Sequence, residues 1–78
     1  MNILVDEAIS ATFVNGKFEV SFKSGQSLAF PIKDNPRLER STIEALNNVE
    51  LSPFGIHWPE LDEDLSFEGI MRGEYGQR

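Results

Sequence analysis

A chain of 78 residues, 40% of them hydrophobic, has enough apolar side chains for one small core but not for a second domain. Its formal net charge of -6 opposes direct binding to nucleic acid, because affinity for the phosphate backbone comes mainly from lysine and arginine. The absence of cysteine and the presence of a single histidine exclude a disulfide framework, thiol chemistry and the usual structural zinc sites.

The first residues do not resemble a targeting segment. They lack a basic region, and the apolar run at residues 3–5 is too short for the core of a signal peptide. No stretch of the sequence approaches the length of a membrane-spanning helix. We therefore expect a cytoplasmic protein that has no membrane partner.

Residues 8–32 have the alternation expected of a three-stranded antiparallel meander. Apolar residues occupy every second position in three runs, namely Ile9, Ala11 and Phe13, then Phe18, Val20 and Phe22, then Leu28, Phe30 and Ile32. Asn15-Gly16 is a strong signal for a hairpin, because both central residues of a type I′ turn need positive φ. With that turn, we expect the following pairs: Val14 with Lys17, Phe13 with Phe18, Ala11 with Val20, and Ile9 with Phe22.

The second connection of the meander needs an odd-length loop or a bulge. A two-residue turn at Ser24-Gly25 would place Phe22 opposite a polar serine, so the register must differ. Gly25 is the expected residue with positive φ. Pro31 lacks an N–H to donate, which predicts that the third strand ends there or lies at a sheet edge.

Two short helical segments are predicted in the middle of the chain. Asn35 and Pro36 have the residue types of an N-cap and a first helical position. The sequence from Ser41 to Glu44 has the spacing of a capping box, which predicts a helix that turns Ile43 and Leu46 inward and ends at residues 47–48.

A second, short β element and a last helix follow. Residues 49–51 and 56–58 alternate like strands around a turn at residues 52–55. Ser66 is a predicted N-cap, Leu65 and Ile70 are a predicted hydrophobic staple, and Gly73 is the predicted end of the helix. The overall prediction is an α+β fold in one domain over residues 1–78, with a core at about 8–73 and a frayed tail at 74–78.

The run from Gly55 to Ile70 closely resembles a small bacterial family called domain of unknown function 2442. The resemblance rests on Gly-Ile-His-Trp-Pro-Glu-Leu-Asp-Glu-Asp at residues 55–64, and it extends back to Phe22-Lys23-Ser24-Gly25 and Pro36-Arg37-Leu38. It implies a compact α+β domain without established catalytic activity. It also implies an association with toxin–antitoxin-like gene pairs, but it supplies no catalytic residues.

Among the residues of this run, His57 is the strongest candidate for a catalytic residue. His57 beside Glu60 and Asp62 has the composition of a general base oriented by a carboxylate, or of a metal site. The alternation of residues 56–58 equally predicts an ordinary surface histidine. Because no nucleophile motif, second histidine or phosphate loop accompanies it, we expect no enzyme, cofactor or metal, and a hydrolase that uses His57 is the weaker alternative.

The acidic residues nearby do not form a standard calcium loop. A loop beginning at Asp62 would place Phe67 where glycine is required and Gly73 where the bidentate glutamate belongs. The run can instead be a solvated connection, a complement to a helix N-terminus or a contact for a basic partner. Trp58 is a core anchor if it is buried and a binding hot spot if it is exposed.

These observations favour a non-catalytic protein-interaction module, regulatory or antitoxin-like. Its expected partner is another protein, such as a basic toxin-like or nucleic-acid-binding protein, and self-association as a homodimer is a further expectation. An alternative is an acidic inhibitor that mimics nucleic acid on a basic host or phage-defence protein. That alternative requires the thirteen carboxylates to cluster on one face. The candidate binding residues are His57, Trp58, Glu60, Asp62, Glu63 and Asp64.

Overall fold

A computed structural model describes residues 7–77 and has an α+β fold, as predicted. Its elements, in chain order, are β1 (Ala8–Val14), β2 (Lys17–Phe22), β3 (Ser27–Pro31), α1 (Pro36–Glu39), α2 (Ile43–Asn47), β4 (Glu50–Leu51), β5 (Gly55–Trp58), β6 (Glu63–Ser66) and α3 (Phe67–Met71). The strands form two antiparallel sheets in the orders β1-β2-β3 and β4-β5-β6. Residues 1–6, on which the argument against a signal peptide rests, lie outside the described part.

The first hairpin confirms the predicted turn and most of its register. Asn15 and Gly16 have φ values of 51° and 82°, and the Val14–Lys17, Phe13–Phe18 and Ala11–Val20 pairs are all present. The predicted pair of Ile9 with Phe22 is wrong. A β-bulge shifts the register between Ala8 and Ser10, so that Ala8 pairs with Phe22 instead. Because the bulge removes Ile9 from the ladder, its side chain is 60% exposed.

The β2–β3 connection confirms the expected odd-length loop. The last pair is Ser21 with Ser27, and the Phe22 N–H donates to the Gln26 carbonyl at 2.9 Å. Gly25 has the expected positive φ, at 95°. β3 lies at the edge of its sheet and ends at Pro31, as predicted. Val20 therefore pairs with Leu28, and the apolar faces of the two strands coincide.

The first two helices confirm one predicted cap and correct the other. The Asn35 side chain caps α1 by accepting from two backbone N–H groups, and Pro36 takes the first helical position. α2 is capped by Thr42 and not by Ser41, because the Ser41 hydroxyl donates to the Leu38 carbonyl at the end of α1. The cap shifts by one residue, so Ile43 is 63% exposed instead of buried.

The second sheet has one strand more than the sequence indicated. β4 and β5 follow the predicted β element, but β6 occupies residues that we expected to be an exposed acidic connection. Strand alternation explains the difference: Glu63 and Leu65 face inward, while Asp64 and Ser66 face outward. Ser66 then caps α3 as predicted, and Gly73 follows that helix with a φ of 85°.

Both sheets contribute to one core, and Trp58 connects them. Its side chain is fully buried, and its ring lies 5.1 Å from that of Phe18 in an edge-to-face arrangement. The indole N–H donates to the Leu46 carbonyl at 3.0 Å. The buried cluster also includes residues of β3 and of all three helices, among them Phe30, Leu38, Leu46 and Ile70. Of the two alternatives that the sequence left open for Trp58, its burial selects the core anchor.

The C-terminal residues pack against this core. This differs from the prediction that residues 74–78 form a frayed tail. The Tyr75 ring lies 5.4 Å from the Phe30 ring, and the Tyr75 carbonyl accepts a hydrogen bond from the Asn35 side chain. Gly76 lies so close to the Asn35 and Glu63 side chains that a Cβ atom there would overlap them. The tail is thus attached to the core as far as Gly76. Arg78 lies outside the described residues.

None of the helices within residues 7–77 is long and apolar enough to cross a membrane.

Replacing Trp58 tests its place in the core. We expect Trp58→Ala to reduce the free energy of unfolding by about 4 kcal/mol, since a large buried ring and its hydrogen bond are lost. Trp58→Phe keeps much of the packing, and we expect it to cost about half as much. Urea denaturation followed by circular dichroism measures both. A native fluorescence that is readily quenched by acrylamide would contradict the burial of this side chain, because Trp58 is the single tryptophan.

Gly55 is a second sensitive position, because its backbone lies against β6. An added Cβ would overlap the Leu65 carbonyl oxygen and lie 2.9 Å from Ser66 Cα. We expect Gly55→Ala to cost about 3 kcal/mol of stability. Gly25→Ala is the matched control, because it meets no neighbouring atom and should cost about 1 kcal/mol through its positive φ alone. Equal losses of stability for the two variants, measured in urea, would contradict the close approach of the strands.

Candidate functional site

The outer face of the β4–β6 sheet carries a row of three ionisable side chains. Glu50 pairs with His57 across β4 and β5, and His57 pairs with Asp64 across β5 and β6. Directly paired residues of antiparallel strands project to the same side of the sheet. The inward-facing row beside them is apolar and consists of Leu51, Ile56 and Leu65.

His57 and Asp64 are joined by a short hydrogen bond. His57 Nδ1 lies 2.7 Å from Asp64 Oδ1, and the two side chains are partly and largely exposed. Since a carboxylate accepts, Nδ1 carries the donated proton, and this fixes the orientation of the ring. A polar contact at such an exposed position adds little to stability. The main effect of this contact is therefore to orient the His57 ring on the outer face, and its contribution to the stability of the fold is small.

An open groove of about 380 Å³ runs along this face. The residues that line it include Glu50, Ser52, Phe54, His57, Asp64 and Ser66, together with apolar residues of the three strands. Phe54 is 79% exposed, which is the largest exposure among the large hydrophobic side chains of residues 7–77. An exposed phenylalanine that lines an open groove is a typical feature of a binding surface.

The backbone around Phe54 is held on both sides. The Phe54 N–H and the Gly55 N–H both donate to the Ser52 hydroxyl oxygen, each at 3.2 Å. The Phe54 carbonyl accepts from the Phe67 N–H at 2.8 Å, which ties the turn to the start of α3. The exposed ring therefore projects from an ordered turn, so that binding through it requires little ordering of the backbone.

The six residues predicted as binding candidates do not form one surface. His57 and Asp64 lie together on the outer face, but Trp58 is in the core and Glu63 is 5% exposed. Glu60 accepts from the Asn48 side chain at 2.7 Å. Asp62 lies in the turn between β5 and β6 with a φ of 51°, and its carbonyl accepts from Arg37.

Glu63 belongs to an internal polar network. Its Oε2 accepts from Asn35 Nδ2 at 2.9 Å, and its Oε1 lies 3.8 Å from Arg37 Nε. The same Asn35 amide donates to the Tyr75 carbonyl, while its oxygen caps α1. One buried amide thus connects α1, β6 and the C-terminal tail. Glu63 faces inward because it pairs with Trp58, which is also on the buried face.

The proposed trio of His57, Glu60 and Asp62 is not assembled. The partner of the imidazole is Asp64, and the Glu60 carboxylate is engaged by Asn48. The two serine hydroxyls at the groove both accept hydrogen bonds from backbone N–H groups. Ser52 accepts from the N–H groups of its own turn, and Ser66 accepts from the Gly69 N–H at 2.9 Å. Within residues 7–77, no group of three or more histidine, cysteine or acidic side chains is positioned to hold a metal ion.

Two residues of the groove, Glu50 and Phe54, were not among the predicted candidates. Glu50 carried a weak signal, because it alternates with Val49 and Leu51 in a short strand whose partner was not known. Phe54 carried a stronger one, because it follows a proline in a turn, where a large apolar side chain is unusual. Only the pairing of β4 with β5 places Glu50 opposite His57, and Phe54 lines the same groove.

Comparisons with known proteins find relatives of unknown function. The family model described as "Protein of unknown function (DUF2442)" matches residues 8–76. A crystal structure of a protein of unknown function from Rhodospirillum rubrum ATCC 11170, at 2.75 Å resolution, is similar with a TM-score of 0.78. Its sequence is 31% identical, and the match covers 94% of this chain and 93% of that chain. A search of curated proteins finds no match.

The internal network leads to a stability prediction. We expect Asn35→Ala to cost about 3 kcal/mol, of which about 1 comes from the helix cap and the rest from the buried carboxylate that loses a donor. Asn48→Ala is the matched control, since it removes an amide–carboxylate hydrogen bond at an exposed site and should cost about 0.5 kcal/mol. Urea denaturation compares them. A similar small loss for both variants would contradict a structural role for the network.

Proposed function

Since the chain belongs to the DUF2442 family of proteins of unknown function, we propose its function from its own surface: it is a non-catalytic protein-interaction module with a regulatory or antitoxin-like role. The contact surface is the groove on the outer face of the β4–β6 sheet. The observation that carries the proposal is the exposure of Phe54, which projects from a hydrogen-bonded turn at the rim of this groove.

A binding role explains features that stability does not require. An exposed phenylalanine gains little from folding, but it gains apolar burial when a partner covers it. The row of ionisable side chains in the same groove, Glu50, His57 and Asp64, supplies polar contacts that favour one partner over others. The ordered backbone of the turn also lowers the entropy cost of binding. These properties are those of a small contact surface with an aromatic anchor.

The alternatives have weaker support. A nucleic-acid mimic needs its carboxylates clustered on one exposed face, whereas Glu63 is buried and Glu68 and Glu74 form ion pairs with Arg72. A hydrolase would use the His57–Asp64 pair, which is the observation in its favour. It would also need a nucleophile, and the serine hydroxyls of the groove are engaged by backbone N–H groups.

The experiment is affinity purification of the tagged chain from its source organism, with the wild type and two variants compared by quantitative mass spectrometry. We expect the wild type to retain a partner and Phe54→Ala to lose it by about tenfold or more, which is the effect of removing a hot-spot side chain. Ile43→Ala is the matched control, because Ile43 is an exposed apolar residue on α2, outside the groove. It should retain the partner.

The variants must first be shown to fold, by circular dichroism and a thermal midpoint close to that of the wild type. A partner that is lost with Ile43→Ala but kept with Phe54→Ala would refute the assignment of the groove. Repeated recovery of the chain alone would refute the interaction itself.

A further inference from the structure

We infer, as a step that rests on the proposed function, that the groove receives a basic side chain, arginine or lysine, from an extended segment of a protein partner. The charged head contacts the carboxylates of Glu50 and Asp64, which lie on either side of His57, and the apolar stem lies against Phe54.

The charges of the groove are complementary to a cation. Glu50 on β4 and Asp64 on β6 lie on either side of His57 on the central strand β5, so that two carboxylates lie in one row across the sheet. Within residues 7–77, no lysine or arginine lines the groove. The net charge of -6 adds a field of the same sign around the site. A basic side chain is therefore attracted both at long range and on contact.

The hydrogen bonding of Asp64 leaves it able to accept from a ligand. Oδ1 is engaged by His57, which orients the carboxylate, while the second oxygen extends from a side chain that is 75% exposed. A guanidinium group donates several N–H groups in a fixed plane, and an ammonium group donates three. Either head can thus bond to Asp64 without displacing His57.

The apolar part of the groove fits the stem of the same side chain. Arginine and lysine carry three or four methylene groups that pack on apolar surface while the head stays polar. The exposed Phe54 ring provides that surface, and a cation near its face gains an additional attraction. The volume of about 380 Å³ is suited to one or two side chains of an extended segment.

The test is a titration of the isotope-labelled chain, followed by two-dimensional NMR, with two capped pentapeptides. One peptide carries arginine between two valines, and the other carries citrulline, a neutral isostere, at the same place. We expect saturable shifts of the amide signals at residues 50–57 and 64–66 with the arginine peptide. The citrulline peptide should bind about tenfold more weakly, because the charge is lost while the shape is kept.

Variants of the chain locate the charge effect. We expect Glu50→Gln and Asp64→Asn each to weaken binding of the arginine peptide by about threefold to tenfold, since both remove a charge and keep the side-chain shape. The amide oxygen introduced by Asp64→Asn can still accept from His57, so the ring keeps its orientation. Phe54→Ala should weaken binding similarly. Glu19→Gln, an exposed carboxylate of β2 outside the groove, is the matched control and should leave binding unchanged.

Three outcomes would overturn the inference: equal binding of the two peptides, shifts confined to the β1–β3 sheet, or a dimer in sedimentation experiments that buries Phe54 against a second copy of the chain. Failure here is distinguishable from failure of the proposed function. If purification yields a partner that depends on Phe54, and photo-crosslinking places a segment without lysine or arginine in the groove, the interaction stands and the basic occupant is refuted.

Discussion

The burial of Trp58 between the two sheets is the contact on which the rest of the structure depends. Its ring packs edge-to-face on Phe18 of β2, and its N–H is satisfied by the Leu46 carbonyl at the end of α2. One side chain therefore fixes three elements relative to one another. In so small a chain the core has few large side chains, and the loss of this one cannot be compensated by rearrangement of the others.

The position of Trp58 also determines the functional face. Because β5 alternates, an inward Trp58 requires an outward His57, and pairing then places Glu50 and Asp64 beside it. The same pairing turns Glu63 inward, where the Asn35 amide receives it. Neighbouring acidic residues thus have opposite roles, one in a buried network that holds the tail and one on a surface suited to binding.

The groove and the network differ in how they contribute to the protein. The network satisfies buried polar groups, so its loss is expected to lower stability. The groove exposes an aromatic ring and places Glu50 and Asp64 on either side of His57, which contributes little to folding. The groove thus adds little to stability but holds its side chains in an ordered arrangement at the surface. Such an arrangement is expected of a binding site.

Local sequence patterns were sufficient to predict many of the strands, turns and helix ends of this protein. Alternation and the Asn15-Gly16 turn predicted the first sheet, and Asn35, Ser66 and Gly73 predicted helix ends, because each depends on the geometry of adjacent residues. The bulge at Ile9, the strand β6 and the docking of Tyr75 were missed, because long-range packing decides them. For the candidate site, the sequence by itself singled out six residues, of which His57 and Asp64 lie together on the outer face. Only the tertiary structure removed Trp58 and Glu63 from the surface and added Glu50 and Phe54, since the faces of short strands are set by their pairing partners.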